Sequence, residues 1–187
     1  MANKIRLFAG TDAGSYLSAI LGKYVKEIRN FRNEWYHEDG LTDRVSEFSK
    51  KRLISPIEAD FSAYEVKLER VQITGRYSAQ LVDVAQYFVP VKGDIDMLQL
   101  KPSTFGFDID TVENNGKGIV YHIIAESKTN EEVKAIFKSF EQKFNKSLAL
   151  INETIEEYNR VLPIELQSTV ENMSAEYMRR KGRESEL

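Results

Sequence analysis

The sequence predicts an α+β fold with an N-terminal strand and helix, a central, mainly antiparallel β-sheet, and a C-terminal long helical hairpin. Three observations carry that prediction. From Thr129 to Lys181 apolar residues recur at helical spacing in two stretches joined at Pro163, while the middle of the chain alternates at the two-residue period of strands. The order is strand, helix, many strands, then helices, and not the alternation that builds a parallel sheet. The expected division is a body over 1–128 and a helical arm over 129–187, packed on that body or on a partner.

The first element is Ile5-Arg6-Leu7-Phe8-Ala9, a short strand. Gly10-Thr11-Asp12-Ala13-Gly14-Ser15 follows, and then a helix with Leu17, Ile20, Leu21, Tyr24, Ile28, Phe31 and Trp35 on one face. Strand, glycine loop and helix can hold a phosphate on backbone N–H groups. This loop has neither a GK[ST] ending nor GxGxxG spacing, so a tight turn with Ser15 as helix cap is expected. Lys23, Lys26, Arg29 and Arg32 wind around the helix, so a nucleic-acid partner finds only weak support there.

Between His37 and Asp60 periodicity fades, with Asp39-Gly40 as a turn, Lys50-Lys51-Arg52 as a basic patch and Pro56 as a break. Tyr64, Val66 and Leu68 alternate with Glu65, Lys67 and Glu69, the pattern of a half-buried strand. The alternation slips at Val71 and Ile73, which predicts a bulge near Arg70. Gly75 ends the strand, and Ser78 to Gln86 is expected as a short helix. Tyr87–Val91 and Ile95–Leu100 read as strands around a turn at Gly93, with Pro90 pointing to a sheet edge. Phe105–Ile109 is a further strand, and Asn114-Asn115-Gly116-Lys117-Gly118 is a strong turn signal. Ile119 to Ala125 is nearly all apolar and is expected to be the central strand, covered on both faces.

The arm opens with Thr129-Asn130-Glu131-Glu132, a capping box in which Thr129 and Glu132 satisfy each other's backbone N–H groups. Val133, Ile136, Phe137, Phe140, Phe144, Leu148, Ile151, Ile155, Tyr158 and Leu162 then form one helical face. At 1.5 Å per residue, a helix over 130–161 is about 48 Å long. Pro163 suits the first turn of a second helix, which carries Ile164, Leu166, Val170, Met173 and Tyr177. The residues expected at an interface are Phe137, Phe140, Phe144, Leu148, Ile151, Ile155, Met173 and Tyr177. The ending Arg179-Arg180-Lys181-Gly182-Arg183 to Leu187 suits a frayed helix or a part cut from a longer protein.

The 187 residues suffice for a hydrophobic core. A net charge of -3 carries no global bias toward nucleic acid, and the absence of cysteine removes disulfides and thiolate chemistry. No apolar run reaches the roughly 20 residues that span a bilayer. A cytoplasmic protein with no membrane partner is expected. With only His37 and His122, histidine-rich metal sites are excluded, and His122 is expected as a hydrogen-bonded core residue.

One constellation can carry chemistry. Glu126 and Lys128 close the strand from Ile119, on the face shared by His122 if the strand alternation continues. Upstream lie Asp94 and Asp96, and Asp108 and Asp110. Two carboxylates can bind a hard divalent cation, and a lysine beside them can help position the attacking water. Residues 106–128 resemble the PD-(D/E)xK nuclease superfamily, whose motif is an acid on one strand and (D/E)-x-K on the next. The resemblance implies a first acid at Asp108 or Asp110, with Glu126 and Lys128 as second acid and lysine, and Mg²⁺ or Mn²⁺ held by Asp110 and Glu126. No Pro-Asp precedes the acid, and helix follows the lysine where the superfamily has a helix and a further strand. The principal expectation is therefore a non-enzymatic interaction or assembly module. It would bind a protein partner or form a homo-oligomer through its C-terminal helices.

Overall fold

The computed structural model describes residues 3–31, 41–74, 79–102 and 110–185. The chain folds into two compact units. The first comprises Met1–Ala13 and Pro56–Asn152, and the second Gly14–Ser55 and Glu153–Leu187. The compact units divide inside the C-terminal helix, whereas the sequence reading set the boundary at its start.

The first unit is a six-stranded antiparallel sheet. Its strands are β1 (Asn3–Arg6), β2 (Glu58–Ala59), β3 (Glu65–Thr74), β4 (Ala79–Lys92), β5 (Thr111–Asn114) and β6 (Gly118–Ile124). They are ordered β1-β5-β6-β4-β2, with β3 also paired to β4. The organiser is β4, which pairs β3 from Ala79 to Phe88, β6 from Val84 to Pro90, and β2 at Val91 and Lys92. One face of this sheet is covered by the first part of α3 (Asn130–Ser185). Tyr87 stacks on Phe137 and Tyr121 on Phe140, each with ring centroids 3.9 Å apart, and Phe61 packs against Phe137, Phe140 and Phe144.

At several elements the fold departs from the sequence-based expectation. Ser78 to Gln86 is not a helix: Ala79 onward belongs to β4, because Val82, Val84, Ala85 and Tyr87 find buried places on a pleated surface. The register of β3 on β4 is regular from Glu65 to Thr74, so no bulge interrupts it at Arg70. Pro90 lies in the middle strand and not at an edge. The β3 ladder has ended at Phe88, and Val91 N–H donates to Lys117 O at 3.2 Å. The nitrogen of Pro90 therefore points away from β6, toward the two-residue strand β2, so little pairing is forfeited. Ile95–Gln99 is a 3₁₀ helix, not a strand, and Asp94 caps it by accepting the N–H of Asp96 at 3.1 Å. The predicted central strand β6 has one open face, since His122 and Ile124 are exposed while Ile119 and Ile123 are buried. Val66 and Leu68, expected to be half-buried, are 57% and 65% exposed. Phe105–Ile109, Trp35, His37, Asp39-Gly40 and Gly75 lie outside the described residues.

Local turn chemistry follows the sequence closely. Asn114 and Asn115 accept the N–H groups of Gly116 and Lys117 at 2.8 and 3.0 Å, and Gly116 takes φ 82. Gly10 is needed because a Cβ there would lie 2.6 Å from the Gln99 carbonyl, to which Gly10 N–H donates at 2.7 Å. The glycine serves close backbone approach. The helix α1 (Ala13–Arg29) begins two residues before the expected cap Ser15.

The second unit contains α1 from Gly14 onward, α2 (Leu41–Lys50) and the remainder of α3. The sequence reading did not find α2; Leu41, Val45 and Phe48 stand at helical spacing, but three apolar positions make a short signal. Leu17, Ile28, Val45, Ile155, Tyr158, Leu162, Leu166 and Val170 are its buried apolar residues. Arg52 is half-buried: it donates to Glu27 at 2.9 Å and to Phe48 O at 3.1 Å, with its guanidinium 3.2 Å from the Phe48 ring centroid. The basic patch thus includes a half-buried cation held by an acid and a π-face.

The helical hairpin expected at Pro163 is one helix, with Pro163 inside it. A proline there cannot donate to the carbonyl of Asn159 and costs about 3 kcal/mol. Leu162 and Leu166 are fully buried on either side, each contributing about 1.5–3 kcal/mol. Their burial outweighs the proline penalty, and the helix continues.

Candidate functional site

The capping box forms as the sequence predicts. Glu132 N–H donates to Thr129 Oγ1 at 3.2 Å, and Thr129 N–H donates to Glu132 Oε2 at 2.7 Å. These bonds hold the Glu132 carboxyl below its ordinary range, backbone donation from Thr129 being the main cause. The helix start is thereby fixed directly after the Glu126–Lys128 segment.

That segment is not strand. Lys128 N–H donates to Ala125 O at 3.0 Å, closing a four-residue turn, and Ser127 takes φ 65. A positive φ at the third turn position is the type II arrangement. The strand alternation stops at Ile124, so the expected shared face of His122, Glu126 and Lys128 is not formed. Glu126 and Lys128 are exposed.

Asp110 precedes β5 and is half-buried. Its backbone carbonyl accepts Leu7 N–H at 2.9 Å, and its carboxylate faces the Tyr121 hydroxyl at 3.5 Å. Burial first, and the Asp110 charge second, push the Tyr121 hydroxyl up to about 12. His122 is not a core histidine: its side chain lies on the open sheet face, with Nε2 3.7 Å from Glu113. Asp108 lies outside the described residues. No group of three histidine, aspartate or glutamate side chains able to hold a metal ion occurs among the described residues.

The residues expected at an interface separate into two sets. Phe137, Phe140, Phe144, Leu148 and Ile151 are buried in the first unit, and Ile155 is buried in the second. Met173 and Tyr177 are half-exposed, Met178 is 58% exposed and Ile164 is 60% exposed. Val170 is the last buried residue of α3 among the described residues. Beside this region, Val45 and Ser49 of α2 and Pro163, Ile164, Gln167 and Glu171 of α3 line a groove of about 560 Å³. Its walls are mainly apolar, with Gln167 bonded to Glu171 at 2.9 Å on the rim.

The class defined at this level is an α+β chain with an antiparallel sheet, whose long helix leaves its distal part exposed. No family model, curated protein or solved structure matches it. Among the described residues, no helix is long and apolar enough to cross a membrane.

Proposed function

We propose that the chain is a non-enzymatic interaction module that assembles with another polypeptide, a partner or a further copy, through the distal part of α3. The observation that carries this is the run from Glu171 to Ser185, helical throughout yet without a buried residue. A 15-residue helix without a buried side chain is marginal by itself in water, so an external surface would add to its stability. Met173 and Tyr177, four residues apart, lie on one helical face. Ile164 and its groove lie about 180° around the helix from Met173 and form a separate apolar surface. Arg179, Arg180, Lys181 and Arg183 follow, and would favour an acidic rim on the partner. The cysteine-free composition supports a cytoplasmic setting.

Amide hydrogen exchange tests the reading. In the dilute purified monomer the amides of 171–185 are expected to exchange far faster than those of 158–170, and to become protected on assembly. Full protection of 171–185 in the dilute monomer would show that this stretch needs no partner, and would overturn the proposal.

A further inference from the structure

The strand β3 is exposed on both faces over most of its length. Glu65, Val66, Lys67, Leu68 and Arg70 are all exposed, and Glu69 is half-exposed. Among the described residues β3 pairs only with β4, so its other edge carries unpaired backbone groups. Which groups point outward follows from the ladder. Val91 N–H and Ala125 N–H bond across the β4–β6 junction, to Lys117 O and Asp83 O respectively. Odd-numbered β4 residues therefore bond to β6 and even-numbered ones to β3. Gln86 and Val84 are opposite Lys67 and Glu69, which leaves the N–H and C=O groups of Val66, Leu68 and Arg70 pointing to the open edge.

An open edge of ten residues with exposed Val66 and Leu68 invites strand addition, and charge on it normally prevents this. Here the charges alternate in sign. Lys67 is ion-paired to Glu69 on the same face of the same strand, and Gln86 donates to Glu69 at 2.8 Å. Antiparallel two-fold registers can centre on Lys67, Leu68 or Glu69. Centring on Lys67 opposes two lysines, and centring on Glu69 opposes two glutamates. Centring on Leu68 places Lys67 of each copy opposite Glu69 of the other, and Leu68 opposite Leu68. Of these three only the last is complementary, and it also brings the outward backbone groups of Leu68 face to face. A register centred on Val66 opposes Lys67 to Glu65 instead. A dimer lost in Lys67→Glu but kept in Glu69→Lys would have that register and would overturn the pairing about Leu68.

We infer that β3 is a docking edge for a second copy of this chain, joined antiparallel about Leu68 with reciprocal Lys67–Glu69 ion pairs. The contact would continue the sheet across the two-fold axis and cover the exposed apolar residues of the edge. It is independent of the distal α3 reading, because it uses another unit of the chain.

Sedimentation equilibrium of the full chain provides the test, using Lys67→Glu, Glu69→Lys, their equimolar mixture and the double variant. Both side chains are exposed enough to be exchanged without repacking, and unchanged far-UV circular dichroism would verify folding. The wild type is expected to associate toward twice 21.5 kDa. Each single reversal should weaken association by roughly tenfold or more. The mixture should recover it, since one chain of the mixed dimer then presents two acids at these positions and the other presents two lysines. The double variant should recover it as well, because both ion pairs re-form with their signs exchanged. Three further results would overturn the inference: a wild type monomeric up to about 1 mM, a dimer indifferent to both single reversals, or a mixture no tighter than its components. Loss of the dimer in Met173→Asp alone, with the reversals silent, would assign association to α3 instead.

Discussion

Asn152 holds Ile57 by both of its backbone groups. Its side-chain oxygen accepts Ile57 N–H at 2.9 Å, and its Nδ2 donates to Ile57 O at 2.8 Å. In the second unit Asn159 does the same for Ile54, at 2.9 and 2.8 Å. An amide side chain presents one donor and one acceptor in a plane, as a strand edge does. Each asparagine therefore pairs both backbone groups of a residue that lies outside the helices and strands. Replacing Asn152 by alanine leaves two groups of the buried Ile57 without these partners, and the expected cost is about 2 kcal/mol. Asn159→Ala should cost a similar amount. Urea unfolding midpoints at constant m-value measure both, and a loss below about 0.5 kcal/mol in either would contradict the clamp.

The two sets within the helical stripe should respond oppositely to truncation. Phe140 is buried and stacked on Tyr121, so Phe140→Ala should destabilise by about 3–5 kcal/mol. Met173→Ala should change stability by no more than about 0.5 kcal/mol. Equal losses at the two positions would mean that the distal helix is as firmly packed as the proximal one.

Pro163→Ala restores an N–H that can donate to Asn159 O. Because Pro163 is exposed, no packing is sacrificed, and a gain of about 1–3 kcal/mol is expected, seen as a raised thermal midpoint. A lowered midpoint would indicate that the proline sets a helix geometry on which the core depends.

Two tyrosines impose an alkaline limit. Burial pushes Tyr121 and Tyr158 up to about 12, against about 10 in an unfolded chain. Between these values the folded state holds protons that the unfolded state has released. Stability from the two groups is therefore complete below about pH 10 and falls as pH rises toward 12. Absorbance at 295 nm should show a late tyrosinate phase coincident with unfolding, and Tyr121→Phe with Tyr158→Phe should remove most of the steepness.

The turn at Ser127 allows a local test. A non-glycine residue at φ 65 costs about 1 kcal/mol or more, so Ser127→Gly should stabilise by roughly 0.5 kcal/mol after the added unfolded-state entropy. A loss on this substitution would show that the Ser127 hydroxyl has a role that its backbone conformation does not reveal.

What was legible in the sequence was local. Thr129 and Glu132 sit three residues apart, so their reciprocal bonds form in any context that allows the helix to start. Asn114 to Gly118 likewise contains its own turn chemistry, and the long helical stripe could not be read as strand. These features depend on neighbours within a few residues, which a sequence displays directly. The α+β class followed from their order.

Tertiary structure decided the rest, because the deciding partners are remote in the chain. Ala79 to Gln86 became strand because β3 offered it a ladder throughout, β6 a second one from Val84, and the sheet buried places for Val82, Val84 and Ala85. Pro163 stayed helical because Leu162 and Leu166 were already committed to a core. The alternation of β3 promised a buried face, yet the fold left Val66 and Leu68 open to solvent, since pattern specifies which residues share a face and not what covers it. The same holds for the helical stripe of α3. Its period was evident from the sequence, but only packing showed that Phe137 to Ile155 close the chain's own cores while Met173 and Tyr177 remain half-exposed.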